Sequence, residues 1–104
     1  MIFIETPVFT RQITALLDDD QYKELQLQLI MNPEAGDLIQ GTGGLRNIRV
    51  AAKGQGKRGG GRVIYYHFVS ASQIAFLLAY PKGEQEDLSS DQKKALRQVI
   101  ENWR

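Results

Sequence analysis

The chain has 104 residues, of which 42% are hydrophobic and 24% are charged, a balance typical of one globular domain. It contains no cysteine, which excludes disulfides and thiolate metal sites, and no run of about 20 apolar residues that could span a membrane. The first residues include Glu5 and Pro7 instead of a basic segment before an apolar run, so they do not resemble a signal peptide. We therefore expect a single cytoplasmic domain over residues 1–104.

Charge is distributed unevenly along the chain, although the net charge is only +1. Residues 1–45 carry seven acids and two bases, whereas residues 46–82 carry seven bases and no acid. The seven bases are Arg46, Arg49, Lys53, Lys57, Arg58, Arg62 and Lys82. A segment with many cations and no local counterions indicates an external polyanion such as nucleic acid. A solvated basic loop is the alternative interpretation.

The first half of the chain predicts one strand followed by two helices. Ile2–Ile4 form a short apolar run, and the Thr6-Pro7 pair is a typical helix start because proline fits the first helical position. Apolar residues then repeat at the spacing of one helix face. They are Phe9, Ile13, Leu16 and Leu17. The acidic run Asp18–Asp20 predicts the start of a second helix, which should end near Pro33. Its predicted inward residues are Tyr22, Leu25, Leu29 and Ile30.

The second half predicts a three-stranded meander and a final helix. After a glycine-rich, turn-like stretch at residues 36–44, three runs are rich in β-branched and aromatic residues. The runs are Leu45–Ala51, Arg62–Val69 and Ile74–Tyr80. Ser89 and Gln92 then form a capping box. The apolar face of that helix is Ala95, Leu96, Val99, Ile100 and Trp103. The predicted order is β-α-α-β-β-β-α, an α+β domain with helices on one face of a small, mostly antiparallel sheet.

A basic segment with five glycines, residues 53–61, joins the first two strands of the meander. Its glycine spacing matches a dinucleotide-binding fingerprint, but a strand follows it instead of a helix, so nucleotide binding is not expected. Glycines let backbone amides approach a phosphate closely, and cations add charge. We therefore expect Lys53, Lys57 and Arg58 to contact RNA from a closing loop, with a flexible hairpin tip as the alternative.

Strand alternation separates candidate site residues from packed ones. Arg62 shares a face with Tyr66, whereas His67 points to the opposite face. His67 is therefore expected to pack structurally, and RNA cleavage would depend on lysine, arginine and tyrosine. In such a site a neutral lysine acts as the base and arginine stabilises the phosphorane. Tyr80 is predicted to contact RNA, by stacking on a base or by assisting its orientation, with a place in the core as the alternative.

The stretches Gly41–Val50 and Lys53–Tyr66 closely resemble the RelE/HigB toxin superfamily, and more narrowly its HigB branch. The resemblance to the HigB branch depends on the Gly-Lys-Arg-Gly-Gly sequence of residues 56–60. The resemblance to the superfamily extends to the terminal Asn102-Trp103-Arg104. The resemblance implies a RelE-like microbial RNase fold and an endoribonuclease that cuts messenger RNA in the ribosomal A site. It also implies neutralisation by an antitoxin encoded beside the toxin.

Carried onto this sequence, the resemblance implies a basic site without metal or organic cofactor. The implied catalytic residues are Arg62, Lys82, Arg49 and Lys57, and the implied RNA-binding residues are Lys53, Arg58, Arg46 and Tyr80. Arg62 matches the arginine that grips the scissile phosphate. The chain has Gly83, Gln85 and Asp87 where many relatives carry a further basic residue and an aromatic or histidine acid. The general acid is therefore not identified.

The expected partners are the ribosome, messenger RNA and an acidic, partly disordered antitoxin, a small helix-turn-helix protein. Operator DNA would be reached only through the toxin–antitoxin complex, and no membrane is involved. A catalytically silent relative that binds RNA or an antitoxin is the alternative. A DNA-binding regulator is disfavoured because the basic residues lie on predicted strands and a loop instead of a recognition helix.

Overall fold

The computed structural model describes residues 1–53, 60–85 and 87–103. In these residues a five-stranded sheet carries three helices. The strands are β1 (Ile2–Glu5), β2 (Asp37–Leu38), β3 (Arg46–Val50), β4 (Gly61–Phe68) and β5 (Gln73–Pro81). The helices are α1 (Pro7–Leu16), α2 (Asp19–Met31) and α3 (Ser90–Glu101), and none of these three has both the length and the apolar character needed to cross a membrane. The expected α+β class with a mostly antiparallel sheet is confirmed.

The sheet has the strand order β1-β5-β4-β3-β2. The predicted meander is confirmed, because β3, β4 and β5 pair in antiparallel succession. At one edge β1 pairs with β5 in parallel, with Phe3 opposite Ile74. At the other edge lies β2, whose residues were predicted to belong to a turn. Two residues are too few to show an alternating pattern, so the sequence carries no signal for this strand.

All three helices begin at the predicted caps. Thr6 caps α1. The Asp18 carboxylate accepts a hydrogen bond from the Gln21 amide at 2.8 Å, and the Gln21 side chain accepts one from the Asp18 amide at 2.9 Å. Ser89 and Gln92 make the same reciprocal pair at the start of α3, at 3.0 and 3.1 Å. These local bonds satisfy backbone amides that have no partner inside the helix.

Helices cover both faces of the sheet, so the prediction that they lie on one face is wrong. α1 and α2 pack on one face, where Phe9 and Leu29 join the apolar cluster that holds Tyr65. α3 packs on the other face, where Ile100 joins the cluster that holds Ile64. We call these the α1/α2 face and the α3 face. Strands β4 and β5 are almost continuously apolar, which is typical of strands buried on both sides.

Three apolar helix residues that were predicted to point inward are exposed instead: Ile30, Ala95 and Val99. Ile30 of α2 is 49% exposed and Val99 of α3 is 41% exposed. Each of these two adjoins a buried residue, Leu29 or Ile100, which lies about 100° away around the helix. The helices therefore bury narrower faces than the sequence pattern indicates.

Candidate active site

Three strands bring candidate site residues into one row on the α3 face. Arg49 of β3 lies directly opposite Arg62 of β4, and Arg62 lies directly opposite Tyr80 of β5. Directly opposed residues have Cβ atoms about 5 Å apart, and like charges at this spacing destabilise a sheet. An arginine pair placed in this way therefore indicates a site for an anion more than a contact that stabilises the fold.

Arg62 is a buried cation, with only 9% of its surface exposed. Its Nη1 donates one hydrogen bond, of 3.3 Å, to the Gly61 carbonyl. Among the residues that the structure describes, no carboxylate oxygen lies within 4.0 Å of its guanidinium. A guanidinium has several N–H donors, and burying its charge without a counterion is costly. Within the described parts of the chain, most of its N–H donors are therefore available to a bound anion.

Arg49, Arg62 and Lys82 line one cleft of about 390 Å³. Arg49 comes from β3 and Arg62 from β4, while Lys82 directly follows β5. The Lys82 amide donates a hydrogen bond of 3.0 Å to the Gly60 carbonyl, which ties the end of β5 to the start of β4. Three of the four predicted catalytic residues thus meet around one space of a size suited to a phosphate and its neighbouring sugar.

Tyr80, directly opposite Arg62 on β5, is only 4% exposed and packs within the apolar cluster of the α3 face. Burial raises the pKa of its hydroxyl, the charge of Arg62 lowers it, and the charge of Asp87 raises it again. The net effect favours the neutral phenol. The predicted stacking of Tyr80 on a base does not fit this position, because the ring is covered by protein; the alternative, a place in the core, is what the structure has.

Two of the predicted RNA-binding residues lie away from the cleft, on the α1/α2 face. The Arg46 Nη1 donates to the carbonyls of Gly36 and Glu34 at 2.8 and 3.2 Å. The Lys53 Nζ donates to the Thr14 carbonyl of α1 at 3.0 Å. Both side chains therefore hold chain segments together in this structure, a use that the sequence pattern does not reveal.

Lys57 and Arg58, predicted for catalysis and RNA binding, lie outside the described residues. His67 is half-buried in β4, five residues after Arg62. By strand alternation it lies on the α1/α2 face, since its neighbours Tyr66 and Phe68 pack on the α3 face. It is not among the residues that line the cleft. Its predicted exclusion from the basic site agrees with this placement.

Three further polar residues that line the cleft were not predicted as site residues: Asp37, Asn47 and Asp87. Asn47 had a usable signal, because it stands two positions before Arg49 on one strand and so shares its face. Its Oδ1 is buried and accepts no hydrogen bond from the described residues. The two aspartates come from separate segments, and only the fold brings them together. No third histidine, aspartate or glutamate of the described chain joins them in a group that could hold a metal ion.

A comparison with protein families agrees with this arrangement. The family model described as the RelE toxin of the RelE/RelB toxin–antitoxin system matches residues 10–104. The match spans nearly the whole chain and includes all the residues that line the cleft. The narrower assignment to the HigB branch stays a prediction. The protein therefore belongs to the RelE family, the toxin side of a toxin–antitoxin pair.

Proposed function

We propose that this toxin is a HigB-branch endoribonuclease that cleaves messenger RNA in the ribosomal A site and thereby stops translation. The observation that carries the proposal is the buried guanidinium of Arg62, which has no carboxylate partner among the described residues, in a cleft shared with Arg49 and Lys82. Membership of the RelE toxin family supports the same conclusion.

The chemistry that suits this cleft is attack by an RNA 2′-hydroxyl on the adjacent phosphate. The O2′–P bond forms, the P–O5′ bond breaks, and the intermediate phosphorane carries additional negative charge. Arg62 donates to its oxygens from a site largely removed from water, where such hydrogen bonds are strongest. Arg49 and Lys82 add positive charge on either side. The bound ribosome holds the RNA in the geometry for attack, which explains why little cleavage of free RNA is expected.

The remaining assignments concern RNA and protein partners. Lys57 and Arg58 are proposed to follow the RNA backbone. An acidic antitoxin encoded beside the toxin is proposed to neutralise it, and to carry it to operator DNA. Charge complementarity with the cleft supports this partner. The site of action is the cytoplasm, where translating ribosomes are found.

The test compares wild type with Arg62→Ala on ribosome-bound messenger RNA, with the cut ends mapped by primer extension. We expect cleavage by Arg62→Ala to be slower by about 100-fold or more, because a preorganised donor to the phosphorane is lost. Arg97→Ala is the matched control, since Arg97 is exposed and pairs with Glu101 at 2.9 Å. Expression of wild type or Arg97→Ala should arrest growth, and expression of Arg62→Ala should arrest it less.

Equal growth inhibition by wild type and Arg62→Ala would refute the nuclease proposal. Binding of RNA and antitoxin by the wild type with no cut ends on ribosomes would favour the catalytically silent alternative. Thermal unfolding of each variant establishes that the proteins compared are folded.

A further inference from the structure

Two carboxylates line the cationic cleft, those of Asp37 and Asp87. A carboxylate repels an RNA phosphate, so its presence beside Arg49, Arg62 and Lys82 is unfavourable for binding alone. Neither aspartate is explained as a fixed counterion, because no lysine or arginine nitrogen of the described residues lies within 4.0 Å of either. A carboxylate that lines an anion-binding cleft and forms no ion pair with the described residues indicates a role in catalysis.

The two carboxylates differ in their position relative to the arginine row. Asp37 lies on the edge strand β2 opposite Asn47, which stands two residues, or about 7 Å, before Arg49 along β3. The charge of Asp87 acts on the phenol of Tyr80, the residue directly opposite Arg62, as does that of Arg62 itself. Asp87 is thus the carboxylate associated with the Arg62 position of the row, whereas Asp37 lies on the far edge strand.

The segment around Asp87 is anchored on its C-terminal side. The next residue, Leu88, is 7% exposed and packs in the apolar cluster of the α3 face. Ser89 then forms the capping box that begins α3. The Asp87 side chain itself is exposed to the cleft. A solvent-accessible carboxylate on a fixed backbone can be presented repeatedly in one geometry, as proton transfer requires.

We infer that Asp87 is the general base of the proposed cleavage. Its carboxylate takes the proton of the attacking 2′-hydroxyl while the O2′–P bond forms. The P–O5′ bond then breaks, and the leaving O5′ takes a proton from the Lys82 ammonium. The products are a 2′,3′-cyclic phosphate and a 5′-hydroxyl, and exchange with water returns both side chains to their starting forms. The inference rests on the proposed function and replaces the expected neutral lysine with a carboxylate as the base.

The decisive variant is Asp87→Asn, which keeps the size of the side chain and removes its ability to accept the proton. Single-turnover cleavage of ribosome-bound messenger RNA is followed at saturating toxin, and RNA affinity is measured separately. We expect the chemical step to slow by about 100-fold or more. RNA affinity should be unchanged or higher, because a repelling charge is removed.

Asp37→Asn is the charge-matched comparison, since it removes the same charge from the same cleft. It is expected to alter RNA affinity in the same direction while the single-turnover rate stays close to that of wild type. Asp87→Ser is a second variant with the same expected loss of rate, should the asparagine variant not fold. Thermal unfolding checks each protein.

The inference is overturned if Asp87→Asn only tightens RNA binding and keeps the wild-type single-turnover rate. It is overturned equally if Asp37→Asn is the variant that loses this rate. In both cases an inactive Arg62→Ala would leave the proposed nuclease intact, whereas active enzyme in all three variants would remove both proposals.

Discussion

At the scale of single residues, Gly60 shows how closely the backbone is packed behind the basic cleft. A Cβ atom at this position would lie 2.0 Å from the Val50 carbonyl oxygen. The Gly60 carbonyl also accepts the hydrogen bond of the Lys82 amide. Any side chain here must therefore push β3 and β4 apart at the point where the three cations meet.

We expect Gly60→Ala to lower the free energy of unfolding by about 2 kcal/mol or more, since overpacking against backbone cannot be relieved by a rotamer change. Chemical denaturation measures this loss. Gly83→Ala is the control, because a Cβ there would meet nothing within 4 Å and the change should stay within about 0.5 kcal/mol. Equal stability of the two variants would contradict the packing described for Gly60.

The sequence predicts some residues of the site and not others, for a physical reason. Arg62 and Arg49 could be assigned from composition and strand alternation, which are local properties. The burial of Arg62 and the presence of Asp87 beside it depend on how separate segments pack, and no local pattern reports this. Arg46 and Lys53 show the converse: their charge suggests RNA, but nearby backbone carbonyls accept their donors.

At the scale of secondary structure elements, the segment before α3 supplies Asp87 to one wall of the cleft, and α3 anchors that segment. Leu88 and Ile100 attach this wall to the α3 face, and the Ser89–Gln92 capping box defines where the helix begins. Caps and strands were predictable because each depends on residues a few positions apart. The short strand β2 and the two-sided covering of the sheet were not recognised, since they follow from long-range packing.

Loss of the cap should weaken this wall. In Ser89→Ala the Gln92 amide loses its acceptor, and we expect the free energy of unfolding to fall by about 1 kcal/mol. Urea denaturation followed by circular dichroism measures the change. Ser90→Ala is the neighbouring control, since it keeps the capping hydroxyl and alters only the first helical residue. If Ser89→Ala and Ser90→Ala are both as stable as wild type, the cap does not stabilise the fold.

At the scale of the whole molecule, the two faces of the sheet use their cations differently. On the α3 face Arg49, Arg62 and Lys82 line an open cleft. On the α1/α2 face the guanidinium of Arg46 donates hydrogen bonds to the carbonyls of Gly36 and Glu34, and its Nη2 lies 4.0 Å from the Glu34 carboxylate. The net charge of +1 conceals this division.

The division predicts a difference in the salt dependence of RNA binding, which reports the number of phosphates that a protein neutralises. For single strands the slope of log affinity against log salt is about −0.7 for each neutralised phosphate. Lys82→Gln should therefore reduce its magnitude by about 0.7, whereas Arg46→Gln should leave it unchanged even if the fold becomes less stable. Fluorescence anisotropy with a short 2′-O-methyl RNA, which cannot be cleaved by its own 2′-oxygen, gives the slope well below the unfolding temperature of each variant. A reduced slope in Arg46→Gln and not in Lys82→Gln would place the RNA on the α1/α2 face and remove the cleft from the binding site.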